Sequence, residues 1–339
     1  MARRKARIPE GKKVQPAVKT MTFTLPSTPA ATNYYIDLSQ CASILNRRFY
    51  RQGLNWAVAG FTWYTVNDGS IRINKVPDTW VAANAWMKGF ATWQKMNKEA
   101  LAEAGSVKPK FLDFKVFMDA GHHAAGSAAN LLPRVGSDVG IGNSDVTPGE
   151  WEYSSYVIPD TTLGATGGVQ EREIVWTGAN YPGAGGSGLN AVSLIEGYAA
   201  SRGLPDILDP NAPADAADAD GVSPENWQSA LFSEGSIQDD VVLGAMIDEN
   251  NQAPYPFEND GTHVDTQYPG GANQNPGLQE SSLAFVTGTT IGGRTEIRGD
   301  TFQGGLINLE LAHTGTSVFQ VHLVPGNHRG YMCHDMKEL

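Results

Sequence analysis

The run GAGGSG at 183–188 has the G-x-G-x-x-G spacing that lets a backbone approach a dinucleotide pyrophosphate at a helix N-terminus. That chemistry needs the first glycine at the end of a strand. Here six residues, Pro182 among them, separate Trp176 from Gly183, and no second βαβ unit follows. The run also lacks the Lys-Ser/Thr of a phosphate-cradling loop, and Leu189 stands where a G-x-S-x-G elbow needs its last glycine. A surface loop is the expectation, and an NAD-dependent enzyme has this run as its only support.

Metal chemistry is the next possibility. His122 and His123 are neighbours, so on a strand they would face opposite ways. His328, Cys333, His334 and Asp335 cluster near the C-terminus, but no second Cys/His pair with zinc-finger spacing exists. Asp215, Asp218 and Asp220 precede Gly221 in the manner of a calcium loop. The EF-hand register fails, because Ala216 and Trp227 occupy its first and last ligand positions. A solvated acidic loop is therefore expected, with an interfacial divalent cation on these three carboxylates as the sharper alternative. Other Asp, Glu and His residues are scattered without paired spacing. No enzymatic signature is present, and a protein without catalysis or cofactor is expected.

Few residues remain whose types and clustering demand a partner, and they lie at the start of the chain. Arg3, Arg4, Lys5, Arg7, Lys12, Lys13 and Lys19 share the first twenty residues with one acid, Glu10. The chain as a whole carries −11, so a +6 arm precedes a −17 body. The arm has almost nothing to bury and reads as flexible over 1–20. Clustered cations on an unstructured tail suit phosphate, with little sequence readout. A solubilising tail or a plain nuclear-import signal is the alternative.

The body, 21–339, is expected to position this arm. Its composition, 41% hydrophobic and 18% charged with 38 Gly and 19 Pro, fits short strands and many turns. Strand patterns fall at 22–25, 33–39, 55–66, 70–76, 111–118, 151–160, 169–176, 283–291, 304–314 and 317–324. Asn67-Asp68-Gly69 signals a hairpin between two of them. One helix is clear. Thr79 caps it, Ala83, Trp86, Met87, Phe90, Trp93, Leu101 and Ala104 share a face, and Gly105 ends it. Its three tryptophans (80, 86 and 93) read as packing on a sheet. A second helix is expected over about 188–201, and further helix-like stretches follow 225. Long connections at 119–150, 178–188, 205–225 and 251–280 separate these elements. With no alternating βα units, the expected class is all-β, a single jelly-roll sandwich of about eight strands with long loops and a few inserted helices. Cys41 and Cys333 lie almost a chain length apart, which points to a reducing compartment. No apolar run approaches about 18 residues and none follows the basic stretch, so neither a membrane span nor a secretory signal is expected.

TWVAANAWMKGFATWQKM, GEWEYSSYVIPD and GYAASRGLPDILDPNAP resemble segments of the capsid proteins of small circular Rep-encoding single-stranded DNA viruses, and the likeness spans roughly 30–325. The resemblance implies a jelly roll assembled as an icosahedral shell, commonly of about 60 copies, in the virion. It further implies an inward basic arm that touches the DNA genome and serves import to the host nucleus. This arm lacks the long arginine runs usual there. Sixty copies would supply only about 360 positive charges against a genome of a few thousand phosphates, so either bound cations or the body's inner surface make up the difference, or the shell forms largely without nucleic acid. The acidic 205–225 segment is accordingly expected to face outward or to lie at a contact. Nothing in the sequence identifies a host receptor. A small positive-strand RNA virus capsid protein is the nearest alternative function, and a β-sandwich carbohydrate-binding module is the alternative from another class.

Overall fold

Alternating burial along the chain builds two antiparallel sheets. The computed structural model describes residues 15–102, 113–135, 146–160, 168–180, 190–202, 277–290 and 292–338. The chain divides into two compact units, 1–196 with 275–339, and 197–274; of the second only 197–202 are described. The first unit is mostly β.

In its first sheet β1 (Thr20–Leu25), β3 (Leu54–Tyr64) and β12 (Ser317–Leu323) bury every second residue over much of their length. β1 pairs with β12 and β12 with β3, so Phe23, Phe319 and Trp63 fall in one row and Met21, Val321 and Phe61 in the next. The far edge of β3 is covered by β9 (Arg294–Arg298) and β10 (Thr301–Gln303), and β15 (Cys333–Asp335) joins β3 beyond β12. The second sheet runs β2 (Thr28–Asp37), β11 (Leu306–His313), β4 (Gly69–Lys75), β8 (Gln279–Val286). Its inward row sets Ile36 beside Ile307 and Leu309 beside Ile73. Buried side chains of both sheets form one cluster, in which Phe61 stacks on Phe319 with centroids 5.5 Å apart. Each such ring contributes about 2–3 kcal/mol by leaving water.

Consecutive strands from β1 to β4, and from β8 to β12, change sheet at each step except from β9 to β10, which both pair with β3. Asn67-Asp68-Gly69 is therefore a corner between sheets and not the expected hairpin. Gly69 is required there by close approach, since a Cβ would meet His313. The strand expected over 33–39 starts earlier, at Thr28, and ends two residues sooner, at Asp37. Asp37 ends β2 and caps a helix, α1 (Leu38–Asn46), with its Oδ1 accepting from the Ser39 and Gln40 amides.

The remaining elements lie between β4 and β8, over 76–278. The helix α2 (Trp80–Ala102) forms as expected, burying Ala83, Trp86 and Phe90. Trp86 packs on Phe90, Phe114 and Trp176, while Trp80 is exposed. The stretch 111–118 is not a strand in its described part and makes only a bridge from Phe117 to Val175. β5 (Ser155–Asp160), β6 (Gly168–Val175) and β7 (Asn190–Ser193) form a separate three-stranded sheet whose last pair is parallel. α3 (Ala120–Ala125) precedes them and α4 (Leu194–Arg202) follows, starting later than the expected 188. The strand patterns at 151–160 and 169–176 were thus real but serve a second, smaller sheet. Period-2 burial specifies a buried face and not the partner that covers it.

Gly304 and Gly305 link β10 to β11 at φ +68° and +70°, and a Cβ on Gly304 would sit 2.6 Å from the buried Trp176 ring. Gly304→Ala is expected to cost about 3 kcal/mol, from left-handed strain plus overpacking. Gly178, at φ +87° with open space around it, should lose only the backbone share of about 1 kcal/mol as alanine. Urea midpoints of the two variants check the difference.

Candidate functional site

Two constellations of polar residues stand out, one sealed and one open. The sealed one centres on Asp37, fully buried at the start of α1. Its Oδ2 accepts from Gln52 Nε2 and Trp151 Nε1, both at 3.2 Å, and from the Tyr153 hydroxyl at 3.4 Å. Gln52 clamps the 116 segment in both directions, donating to Val116 O and accepting from Val116 N. His122 Nδ1 accepts from the Met118 amide at 3.1 Å, which leaves the proton on Nε2, donated to Asn130 Oδ1 at 2.7 Å. Asn130 in turn donates to Gln40 and Tyr153. Tyr35 stacks on the His122 ring at 4.5 Å. Burial pushes Asp37 up to about 6 and His122 down to about 4. Beside them His123 Nε2 lies 2.6 Å from Glu173 Oε2, both buried. The network ties α1 to three segments of the 76–278 connection, so His122 and His123 serve as internal braces. Each faces a different partner, as adjacency on a strand would have required, although they sit on a short helix.

The open constellation surrounds the root of the arm. Arg3, Arg4, Lys5, Arg7, Lys12 and Lys13 lie outside the described residues, as do GAGGSG, Asp215, Asp218 and Asp220 and the 205–225 segment. Lys19 is described and half-buried. Its ammonium donates to Gly330 O and lies 4.9 Å from the centre of the Tyr331 ring. The Val18 amide donates to Asn46 Oδ1, the Tyr331 hydroxyl to Val18 O, and Arg48 to Gln15 Oε1. Residues 15–19 are therefore fastened to the body and only what precedes them can act as an arm.

The body presents further cations where the arm is fastened. Arg47 follows α1 in a left-handed conformation, φ 50°, and Arg48 comes next. Tyr50 and Arg51 are pinned back on α1 through Ser43 and Ser39. Opposite them β13 (Pro325–Gly326) and β14 (Gly330–Tyr331) form a tight hairpin with Arg329 at its tip, φ 49°. Arg329 donates to Phe49 O, and the Tyr50 hydroxyl donates to Arg329 O. Arg47 and Arg329 are the two positive-φ residues other than glycine among the described residues. Glycine or asparagine would hold either turn with less strain. Arg47, Arg48, Arg51, Arg329 and Lys337 are exposed, and among the described residues none pairs with a carboxylate.

A pocket of about 260 Å³ opens within this surface. Trp86, Phe90 and Phe114 line it with little exposed area, and Phe49, Arg51, Arg329 and Lys337 add a half-buried ring and three exposed cations. His328 and Asp335 also border it. Burial, then the Arg329 charge, lower the His328 imidazole from its ordinary value, with Arg51 pushing the same way and Asp335 opposing. The field is positive. Cys333 and His334 adjoin on β15 and so turn to opposite faces, and burial raises the Cys333 thiol to about 12. Among the described residues no group of three or more His, Cys, Asp or Glu could hold a metal ion.

The sequence reading missed this surface, although the run Arg47-Arg48-Phe49-Tyr50-Arg51 carries the signal of basic residues interleaved with aromatics. Compared with protein-family models, curated proteins and solved structures, the chain matches none.

Proposed function

We propose that the chain is the shell protein of a small virus, a jelly roll that self-assembles in about 60 copies and packages a single-stranded DNA genome through its basic arm. Strand order carries the reading. β1-β12-β3-β9 and β2-β11-β4-β8 are neighbours in their sheets, and the chain alternates between the sheets from strand to strand once β9 and β10, both paired with β3, are counted as one interrupted strand. Two interlocking Greek keys of eight strands require that order. The 76–278 insertion then occupies the connection from β4 to β8, which stays within a sheet. Self-association is supported by Leu283 and Phe285 on the edge strand β8, 41% and 65% exposed. Packaging is supported by the arm and by the cations at its root.

Negative-stain microscopy and sedimentation of purified protein are expected to show closed particles about 20 nm across, held by large interfaces. A monodisperse small species at high concentration would sink the proposal. Because 15–19 belong to the body, the informative deletion is 1–14, which removes six cations and Glu10. The root surface retains a similar charge. If neutralisation sets cargo, the particles should persist with about half their nucleic acid, read from the absorbance ratio at the nucleic-acid and protein maxima.

A further inference from the structure

The pocket beside the arm root has a composition that a plain electrostatic patch does not need. A surface that only attracts a polyanion requires exposed cations; it does not require a concavity floored by aromatic rings. Here Arg51, Arg329 and Lys337 surround rings that include Phe49, and Lys337 Nζ lies 4.5 Å from the centre of the Phe90 ring. The volume, about 260 Å³, falls just below the range of about 300–1,000 Å³ typical of small-molecule sites. It has room for one nucleotide and not for an extended ligand. The charge selects an anion over the arm itself, and guanidinium forks suit phosphate oxygens. The two strained arginine turns fit the same purpose, since each holds a guanidinium-bearing residue where glycine would have been easier.

We propose that this pocket takes one nucleotide of a single-stranded nucleic acid, its phosphate on Arg51, Arg329 and Lys337 and its base against Phe49. The inference rests on the packaging role for its biological setting, but the pocket's chemistry stands apart from shell formation. Arg47 and Arg48, exposed and directly before Phe49 in the chain, add to the cations of the pocket, so the body supplies positive charge that the arm is short of. With no built donor–acceptor pattern for a base edge, the site is sequence-tolerant and holds the strand by stacking and charge.

The test is fluorescence anisotropy of a labelled oligothymidylate mixed with the full chain before assembly, repeated across salt concentrations. Arg51→Gln with Arg329→Gln should weaken binding about tenfold and reduce the slope of log affinity against log salt by about 1.4, at about 0.7 per single-strand phosphate contact. Phe49→Ala should also weaken binding about tenfold while leaving that slope unchanged, because a stacked base releases no counterion. Arg329 also bonds the Phe49 carbonyl, so Arg51→Gln alone, with an expected slope change of about 0.7, serves if the double variant fails to fold. The proposal is overturned if none of these substitutions alters binding. It is equally overturned if the arginine variants change the slope but Phe49→Ala does nothing, which makes the surface a diffuse patch. Unchanged DNA binding with lost particles would assign the pocket to an acidic segment of a second copy and overturn it as well. If the wild-type chain shows both effects yet forms no particles, the shell reading falls and the nucleotide site stands.

Discussion

Asp37→Ala should destabilise the protein by about 4 kcal/mol. Two losses combine. The methyl group cannot cap α1, which costs about 1 kcal/mol for the unmet Ser39 and Gln40 amides. It also strands the Gln52, Trp151 and Tyr153 donors in a site sealed from water, at about 1–3 kcal/mol each when no relaxation rescues them. Gln52 keeps its second acceptor, Val116 O, which holds the total below the simple sum. A loss of that size is a large share of the about 5–15 kcal/mol that holds a domain folded. Asp37→Asn retains one acceptor oxygen and avoids the burial of a charge, so it should cost under about half as much. Urea denaturation of both variants measures this. An alanine cost below about 1 kcal/mol would mean that the polar brace contributes nothing beyond filling space.

The same network should hide a pH dependence that a single substitution exposes. Asp37, raised in the fold to about 6 from 3.8, contributes stability that is fully present below about pH 4 and is lost as pH rises through 6. His122, lowered to about 4 from 6.5, contributes stability that is present above 6.5 and is lost as pH falls through 4. Between about pH 4 and 6 the two slopes oppose each other, each about 1.4 kcal/mol per pH unit, and nearly cancel. His122→Gln keeps an amide donor for Asn130 but no titrating ring. Relative to the wild type, its stability should gain about 2 kcal/mol on going from pH 7 to 4.5. Asp37→Asn should show the opposite trend, losing about 2 kcal/mol over the same interval relative to wild type. Asp119 is raised, and His313 and His328 are lowered, chiefly by burial. They remain in every variant, so the difference between profiles isolates the pair. Parallel profiles would show that Asp37 and His122 do not titrate as their burial dictates.

The proposed capsid role gives these internal features a setting. The network fastens the start of α1 to the 76–278 connection, while the other end of α1 carries Arg47 and Arg48 beside the arm root. One nine-residue helix thus joins the insertion to the surface proposed for the genome. Side chains within the brace are sealed, so substitutions there should alter stability before they alter packaging. Substitutions in the pocket should do the reverse.

Much of the secondary structure could be read from the residues alone. The alternation of Phe319, Val321 and Leu323, the helical face of Ala83, Trp86 and Phe90, and the seven cations ahead of β1 are local patterns, legible because one buried face repeats every two or every 3.6 residues. Local patterns do not say which strand lies beside which. Tertiary contacts decided that 55–66 and 70–76 part into opposite sheets, and that 151–160 and 169–176 leave the main sheets altogether. They also decided that Tyr50 meets Arg329 across 279 positions, closing the cationic pocket. The physical reason is range: burial periodicity records what each segment must hide, whereas pairing is chosen by the packing and hydrogen bonds of segments distant in the chain.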